Sequence, residues 1–173
     1  VTGEVFVEEG LLDLCFNNLN NKIYLIAENI NAIWIIDALS MAIEDVIITE
    51  GKFYSMEFCE RMNRIYFNGA LSSGSEFIES FDCNTNEIEQ VVVSTNDLIN
   101  QIKYNKTNNC LYYQEISTFG NTKELRCKVI SCFNNTEISD IYLQQNTITL
   151  QNALPTFRGK TDIIISDNGN EDY

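Results

Sequence analysis

Residues 11–49 read LLDLCFNNLNNKIYLIAENINAIWIIDALSMAIEDVIIT, and the pattern of this stretch recurs in register further along the chain. In each copy an aromatic residue stands seven positions before an aliphatic residue that is followed by tyrosine. The aromatic anchors are 42 and then 46 residues apart. The three copies of the motif are Phe16 with Ile23 and Tyr24, Phe58 with Ile65 and Tyr66, and Tyr104 with Leu111 and Tyr112.

A second motif follows each anchor in the same order: an apolar strand, a small polar turn and another strand. It occupies residues 35–48, 80–93 and 129–143, reading IIDALSMAIEDVII, SFDCNTNEIEQVVV and VISCFNNTEISDIYL. Four short strands per unit, repeated about every 40–50 residues, are typical of the blade of a β-propeller. Asn-rich links supply the turns, because asparagine tolerates left-handed backbone geometry. The sequence therefore predicts an all-β, propeller-like fold of about four blade units. An antiparallel sandwich with accidental similarity is the alternative.

Two of these segments resemble known repeats. Residues 21–24 read NKIY and residues 81–88 read FDCNTNEI. They resemble the blades of Kelch-type and related bacterial β-propeller repeats, which commonly read N-K-I-Y-V and then Y-D-P-x-T-N. The resemblance covers about three blades, residues 11–145, and implies a propeller fold. The sequence departs from the Kelch pattern where a double glycine follows the second strand, because it has Ala27-Glu28, Asn68-Gly69 and Gln114-Glu115 there.

The repeat predicts one domain over residues 1–173, with units at about 11–49, 53–95 and 98–145. A partial fourth unit at 147–173 repeats the first anchor, since Phe157 stands seven positions before Ile164. Strand 3–9, which alternates apolar and polar side chains, would close this unit and remove an exposed sheet edge. The competing interpretation is an arc of three to four blades that a second copy completes, or that belongs to a longer chain.

Composition limits the classes of partner. Lys and Arg number 11 against 25 Asp and Glu, which gives a net charge of −14. Nucleic acids and anionic membranes bind cationic surfaces, so we expect neither as a partner. No run of 18 apolar residues exists to form a transmembrane helix. The first ten residues, VTGEVFVEEG, lack the pattern of a signal peptide.

The chain has six cysteines and no histidine. The cysteines form no C-x-x-C pair, so the spacing of a structural zinc site is missing. We expect most of them to be small buried thiols in a reducing compartment. The location itself is not predicted by any targeting signal. Reduced cysteines favour the cytoplasm, or a particle that assembles there.

The search for catalytic motifs predicts no catalytic, cofactor-binding or metal-binding residue. Without histidine there is no Ser-His-Asp triad and no histidine base, and the nucleotide-binding glycine motifs are absent. The acidic end at residues 167–172 is interpreted as a solvated terminus. Aromatic residues in or beside the longer loops are the candidates for a partner-contact surface, although core packing is the favoured interpretation of each one individually. They are Phe77, Tyr113 and Phe119.

These observations favour a non-catalytic protein-interaction or assembly module that presents loops from a propeller scaffold. Its partner would be another protein, or a second copy of the chain, and no cofactor is expected. One alternative is a carbohydrate-active or lyase-type enzyme that uses carboxylates in the channel. Another is a structural or receptor-binding component of a phage-like or surface assembly. The Asn- and Ile-rich, Pro-poor composition suggests an AT-rich bacterial or viral genome.

Overall fold

The structure, a computed structural model, describes residues 10–27 and 31–147. This part of the chain is built from twelve strands, with one 3-10 turn at Glu60–Met62 as its helical element. The strands are β1 (Leu11–Asn17), β2 (Lys22–Ala27), β3 (Ala32–Asp37), β4 (Ile43–Ile48), β5 (Gly51–Cys59), β6 (Arg64–Leu71), β7 (Glu76–Asp82), β8 (Glu87–Ser94), β9 (Asp97–Asn105), β10 (Cys110–Phe119), β11 (Thr122–Ser131) and β12 (Thr136–Thr147).

The strands form three antiparallel sheets of four, and in each sheet the strands are neighbours in chain order. We call them blade 1 (β1–β4), blade 2 (β5–β8) and blade 3 (β9–β12). Strands β1, β5 and β9 contact one another from blade to blade and are the inner strands. The prediction of an all-β, propeller-like fold is confirmed for these three blades. The proposed fourth unit at 147–173 and strand 3–9 lie outside the described residues, apart from the last residue of β12.

Burial follows the position of each strand within its blade. The second and third strands carry Ile, Leu, Tyr and Phe on both faces, as in KIYLIA of β2, because a neighbouring blade covers them. The outer strands β4 and β8 are largely exposed and rich in acidic residues, as in EIEQ at the start of β8. Charged side chains on an outer strand oppose pairing with another chain. Part of the large negative charge is therefore located at the rim.

Two apolar cores lie between the blades. The first joins blades 1 and 2, where Tyr24 packs edge-on against Phe81 with ring centroids 5.7 Å apart. In the same core Phe53 contacts Phe67 and Phe77 in T-shaped pairs. The second core joins blades 2 and 3. Its buried members are Cys59, Tyr66, Ile78, Ile99, Ile102, Leu111, Tyr113, Ile130 and Cys132. The stability of the arc therefore depends on contacts between sheets.

The turns repeat one backbone feature across the blades. A residue with positive φ immediately precedes the second strand of each blade, and asparagine occupies all three positions: Asn21, Asn63 and Asn109. A second positive φ lies in the turn before each outer strand, at Asn86, at Asn135 and, in blade 1, at Met41. Asparagine adopts this left-handed conformation far more readily than methionine. The Asn-rich links thus supply the turns as the sequence predicts, with Met41 as the exception.

We expect Met41→Asn to raise the free energy of unfolding by about 0.5–1 kcal/mol, because it relieves left-handed strain at φ 57°. The reciprocal change Asn86→Met, at the equivalent turn of blade 2, should lower it by a similar amount. Urea denaturation of both variants at neutral pH measures the two effects. Equal destabilisation by both changes would contradict this explanation of the turn.

Over residues 10–27 and 31–147, no helix is long and apolar enough to cross a membrane.

Candidate functional site

Glu76 is the first residue of β7, directly after the polar turn SSGS at 72–75. Gly74 adopts a φ of 88° in this turn, and its N–H donates to the carbonyl oxygen of Leu71 at 2.9 Å. In the sheet, Glu76 pairs with Ala70 on β6 and with Ser94 on β8. Both neighbours hold the backbone of Glu76 at one end of blade 2.

One oxygen of the Glu76 carboxyl group is buried without a hydrogen-bond partner. The residue is 8% exposed, and its Oε2 atom has no hydrogen-bond partner. Burial raises the pKa of this carboxyl from 4.5 to about 7, because the charged form loses its hydration. A group with this pKa is present in both protonation states at neutral pH. Such a carboxyl is suited to act as a general acid and as a general base.

Tyr54 completes what we call the Glu76 site, which consists of these two residues. A shift of strand register between Phe53 and Ser55 places Tyr54 at a bulge of β5, where it is 49% exposed. Burial, and then the negative charge of Glu76, raise the pKa of the Tyr54 phenol. The phenol therefore keeps its proton at neutral pH. Because the side chain is half exposed, its hydroxyl is available as a hydrogen-bond donor.

Two glycines shape the backbone behind the site. A Cβ atom at Gly69 would overlap the carbonyl oxygen of Lys52 on the neighbouring strand. A Cβ atom at Gly51 would overlap the ring of Phe77. With no side chain at either position, β5 and β6 approach each other closely and the Phe77 ring enters the first core. This packing fixes the position of Phe77, which directly follows Glu76 on β7.

A second acidic cluster lies on blade 3, and its charges are paired. The Lys128 Nζ atom is 3.0 Å from Glu115 Oε1 and 3.6 Å from Glu137 Oε2. The Tyr113 hydroxyl donates to Glu137 Oε2 at 3.2 Å. Partners of this kind satisfy a carboxylate and stabilise its charge. This network is a structural ion cluster, whereas Glu76 has no such partner.

The structure places the three predicted contact residues differently from one another. Phe77 lies on β7 and Tyr113 lies on β10, and neither side chain is exposed. Their rings fill the two inter-blade cores, as the core-packing interpretation expects, and the structure corrects their candidacy as partner-contact residues. Phe119 ends β10 with 64% of its surface exposed. A contact role for Phe119 stays a prediction.

No group of three or more His, Cys, Asp or Glu side chains within the described ranges is arranged to hold a metal ion. Glu79 is the other carboxyl of β7 whose pKa is raised, by burial and then by the charge of Glu50. It stands three residues from Glu76, so the two side chains leave opposite faces of the strand. Glu79 is therefore a matched control for experiments on Glu76.

Sequence reasoning did not single out Glu76, because acidic residues are plentiful and most are solvated. The available signal is its position: a carboxylate between the turn SSGS and the apolar strand FIESF. A charged side chain at the first residue of a strand can be partly buried when the residues that follow it are in the core. Only the folded blade shows that no partner reaches it.

We expect Glu76→Gln to stabilise the protein at high pH and to have little effect at low pH. Between pH 4.5 and about 7 the folded carboxyl keeps a proton that the unfolded chain has lost, so stability falls as pH rises through this window. A glutamine side chain does not titrate, so this loss of stability is absent from the Glu76→Gln variant. At pH 8 the variant should be more stable than the unmodified protein by about 1–3 kcal/mol.

Urea denaturation at pH 5 and pH 8 measures this difference, with Glu87→Gln at an exposed position of β8 as the control. A difference between Glu76→Gln and the unmodified protein that is the same at both pH values would contradict the assignment of a buried, protonated carboxyl.

The sequence matches no protein-family model and no curated protein. Among solved structures, a protein assigned as a 6-phosphogluconolactonase from Bacteroides uniformis ATCC 8492 is similar, with a TM-score of 0.52 and 12% identity. The match covers 82% of this chain and 43% of that one. The acylaminoacyl peptidase from Pyrococcus horikoshii also has a TM-score of 0.52, with 14% identity, and the match covers 75% of this chain and 22% of that one.

The chain thus spans less than half the length of either solved protein. At such low identity the likeness shows the fold alone, and it supports the propeller-like arrangement of the blades.

The prediction of a non-catalytic interaction module is wrong by this comparison, because both similar structures are named as enzymes. The error has a physical reason. The motifs sought in the sequence depend on histidine or on nucleotide-binding glycines. A carboxyl that is activated by burial depends on the fold and leaves no such motif.

Proposed function

We propose that this chain carries the acid–base centre of a hydrolase that acts on a carbohydrate-derived lactone or a related ester. The buried, unpartnered carboxyl of Glu76 is the observation that carries the proposal. At neutral pH this carboxyl weakens the fold, and a group retained at such a cost is a candidate for a functional role. The carbohydrate class is supported by the name of the first similar structure. A net charge of −14 favours a neutral sugar derivative over a phosphorylated one.

The chemistry follows from the two protonation states of Glu76. The carboxylate accepts a proton from a water molecule as the water oxygen attacks the carbonyl carbon of the lactone. The resulting carboxylic acid returns this proton to the ring oxygen when the carbon–oxygen bond breaks. The Tyr54 hydroxyl donates a hydrogen bond to the oxygen on which negative charge develops. The products are one hydroxy acid and the regenerated carboxylate.

A spectrophotometric assay with dihydrocoumarin, and a pH-stat assay with glucono-δ-lactone, test the proposal. We expect hydrolysis above the spontaneous rate, with an inflection of kcat/KM near pH 7 that reports Glu76. Glu76→Gln should reduce kcat/KM by about 100-fold or more, which is the usual contribution of a positioned acid–base group.

Glu79→Gln should keep the activity of the unmodified protein, because its side chain leaves the opposite face of β7. Hydrolysis that is unchanged in Glu76→Gln, or no hydrolysis of either lactone, would contradict the proposal. The pH dependence of stability described above separates a misfolded variant from an inactive one.

A further inference from the structure

A side-chain hydrogen bond between neighbouring blades repeats at the ends of the inner strands. Asn17 is the last residue of β1, and its Nδ2 atom donates to the Oδ1 atom of Asn63 in blade 2 at 2.7 Å. At the equivalent position of blade 2, Cys59 ends β5, and its Sγ atom donates to Asn109 Oδ1 in blade 3 at 3.5 Å. Both acceptors are asparagines with positive φ that precede the second strand of their blade. The end of each inner strand therefore binds the blade that follows.

The two ends of the arc carry the unused halves of this bond. Asn105 ends β9, the inner strand of blade 3, and its Oδ1 atom accepts from the Thr107 N–H at 2.9 Å. The Oδ1 atom of Asn17 accepts from the Leu19 N–H in the same way, at 2.9 Å. Asn21 is the corresponding asparagine with positive φ in blade 1. Within the described ranges, no side chain bonds to Asn105 Nδ2 or to Asn21 Oδ1. The donor on blade 3 thus matches the acceptor on blade 1.

Blade 1 has an apolar open face, which we define as the face turned away from blade 2. Blade 2 covers the opposite face, where Tyr24 and Ile35 belong to the first core. Residues that pair directly across a sheet share a face, so the strand register gives the members of the open face. One row crosses all four strands with Leu14, Leu25, Trp34 and Val46, and the row that starts at Phe16 continues with three isoleucines. Neither row contains a charged residue.

Leu14 and Phe16 occupy positions that are packed in a core at both described boundaries between blades. Counted from the end of the inner strand, their counterparts are Met56 and Phe58 in β5, and Ile102 and Tyr104 in β9. The first pair packs in the core between blades 1 and 2, and the second in the core between blades 2 and 3. Leu14 is 52% exposed and Phe16 is 50% exposed. Blade 1 therefore has the side chains of a third boundary.

Blade 3 supplies the other side of such a boundary. Its face toward blade 2 carries Leu111, Tyr113 and Ile130, so the residues that alternate with them form its open face. Apolar members of that open face are Leu98, Tyr112, Ile116, Cys127, Val129 and Ile141. Leu98 is 54% exposed and Ile141 is 47% exposed. One chain thus carries both sides of a further contact between blades.

We propose that the open face of blade 1 binds the open face of blade 3 in a second copy of the chain, and that two copies close head to tail into one ring. Asn105 of each copy donates to Asn21 of the other, as Asn17 donates to Asn63 within the chain. Two copies supply six described blades, within the roughly four to eight blades of known propellers, whereas three copies supply more. The contact involves no residue of the Glu76 site.

Sedimentation velocity and light scattering of the full chain, over a range of protein concentrations, test the proposal. We expect a species of twice the 19.8 kDa of one chain, whose share rises with protein concentration. Each copy has a net charge of −14, and the contact itself is apolar, so added NaCl should strengthen association by screening the repulsion. A folded protein that stays monomeric at every concentration would overturn the proposal. So would an assembly of three or more copies.

Charged substitutions locate the contact. Phe16→Asp places a carboxylate in the open face of blade 1 and should raise the Kd of the dimer by about 100-fold or more. Ile141→Asp should have the same effect through the open face of blade 3. Leu39→Asp, at a turn residue of blade 1 that is 77% exposed, is the control and should stay dimeric. Circular dichroism of each variant separates loss of association from loss of the fold.

A mixture of the two interface variants tests the head-to-tail arrangement. The Phe16→Asp chain keeps its blade 3 face, and the Ile141→Asp chain keeps its blade 1 face, so one boundary forms and a heterodimer is expected. Each variant alone should be monomeric. If Ile141→Asp dimerised like the unmodified protein while Phe16→Asp did not, blade 1 would bind blade 1, and the proposed ring would be overturned.

The amide contact has its own variant. Asn105→Ala should raise the Kd of the dimer by about tenfold or more, because the closed ring loses one hydrogen bond at each of its two new boundaries. An unchanged Kd would contradict the bond between Asn105 and Asn21.

Discussion

Phe77→Ala is expected to lower the free energy of unfolding by about 3–5 kcal/mol, the usual loss when a fully buried phenylalanine becomes alanine. The Phe77 ring has no exposed surface and packs edge-on against Phe53, with ring centroids 6.1 Å apart. The backbone of Gly51 lies against the same ring. Truncation therefore leaves a cavity between two sheets that cannot easily collapse.

Urea denaturation followed by the fluorescence of Trp34, the single tryptophan, measures the effect. Phe119→Ala is the matched control, because the Phe119 ring is exposed and its loss should change stability by less than about 0.5 kcal/mol. Similar decreases in the free energy of unfolding of Phe77→Ala and Phe119→Ala would contradict the assignment of Phe77 to the inter-blade core.

Asn68→Ala is expected to lower the free energy of unfolding by about 2–4 kcal/mol, because it leaves buried polar groups without partners. The Asn68 Nδ2 atom donates to the carbonyl oxygens of Ile99 at 3.1 Å and Asn100 at 2.6 Å. Its Oδ1 atom accepts from the Ser55 hydroxyl at 2.7 Å. One side chain thus connects the inner strand of blade 3 to two strands of blade 2.

Thermal and urea denaturation of Asn68→Ala measure this loss. Asn84→Ala, at an exposed turn position, is the control, with an expected change of less than about 1 kcal/mol. If Asn68→Ala were as stable as the unmodified protein, the amide would not link the two blades in solution.

The sequence predicts the repeat because each of its two motifs reflects a structural requirement of the blade. Strands that are covered on both faces need apolar residues throughout, as in KIYLIA and AIWIID. Turns with positive φ favour asparagine or glycine, with Met41 as the exception in blade 1. These two requirements recur in all three described blades and predicted the fold class.

No family model supports the resemblance to Kelch repeats. Asn68 and Gly69, which stand where those repeats have a double glycine, have separate structural roles in blade 2. The asparagine there forms the hydrogen bonds between blades, while the glycine is needed for the close approach of Lys52. A single sequence does not reveal such a division of roles, because it depends on which backbone lies opposite.

The candidate site could not be predicted for the same reason. Glu76 resembles many other acidic residues in the sequence, and its raised pKa arises only when blade 2 buries it without a partner. The sequence places Phe77 and Tyr113 in or beside loops, which is compatible with both a contact role and core packing. Only the stacking of neighbouring blades shows that both rings are buried within strands.

The most direct test of the acid–base site is a carbon-13 NMR titration of the Glu76 side-chain carboxyl, assigned by comparison with Glu76→Gln. The burial of this group predicts a midpoint near pH 7, which both the pH dependence of stability and the proposed hydrolysis require. A midpoint near the ordinary value of 4.5 would mean that the carboxyl is solvated or paired, and would contradict the proposed function.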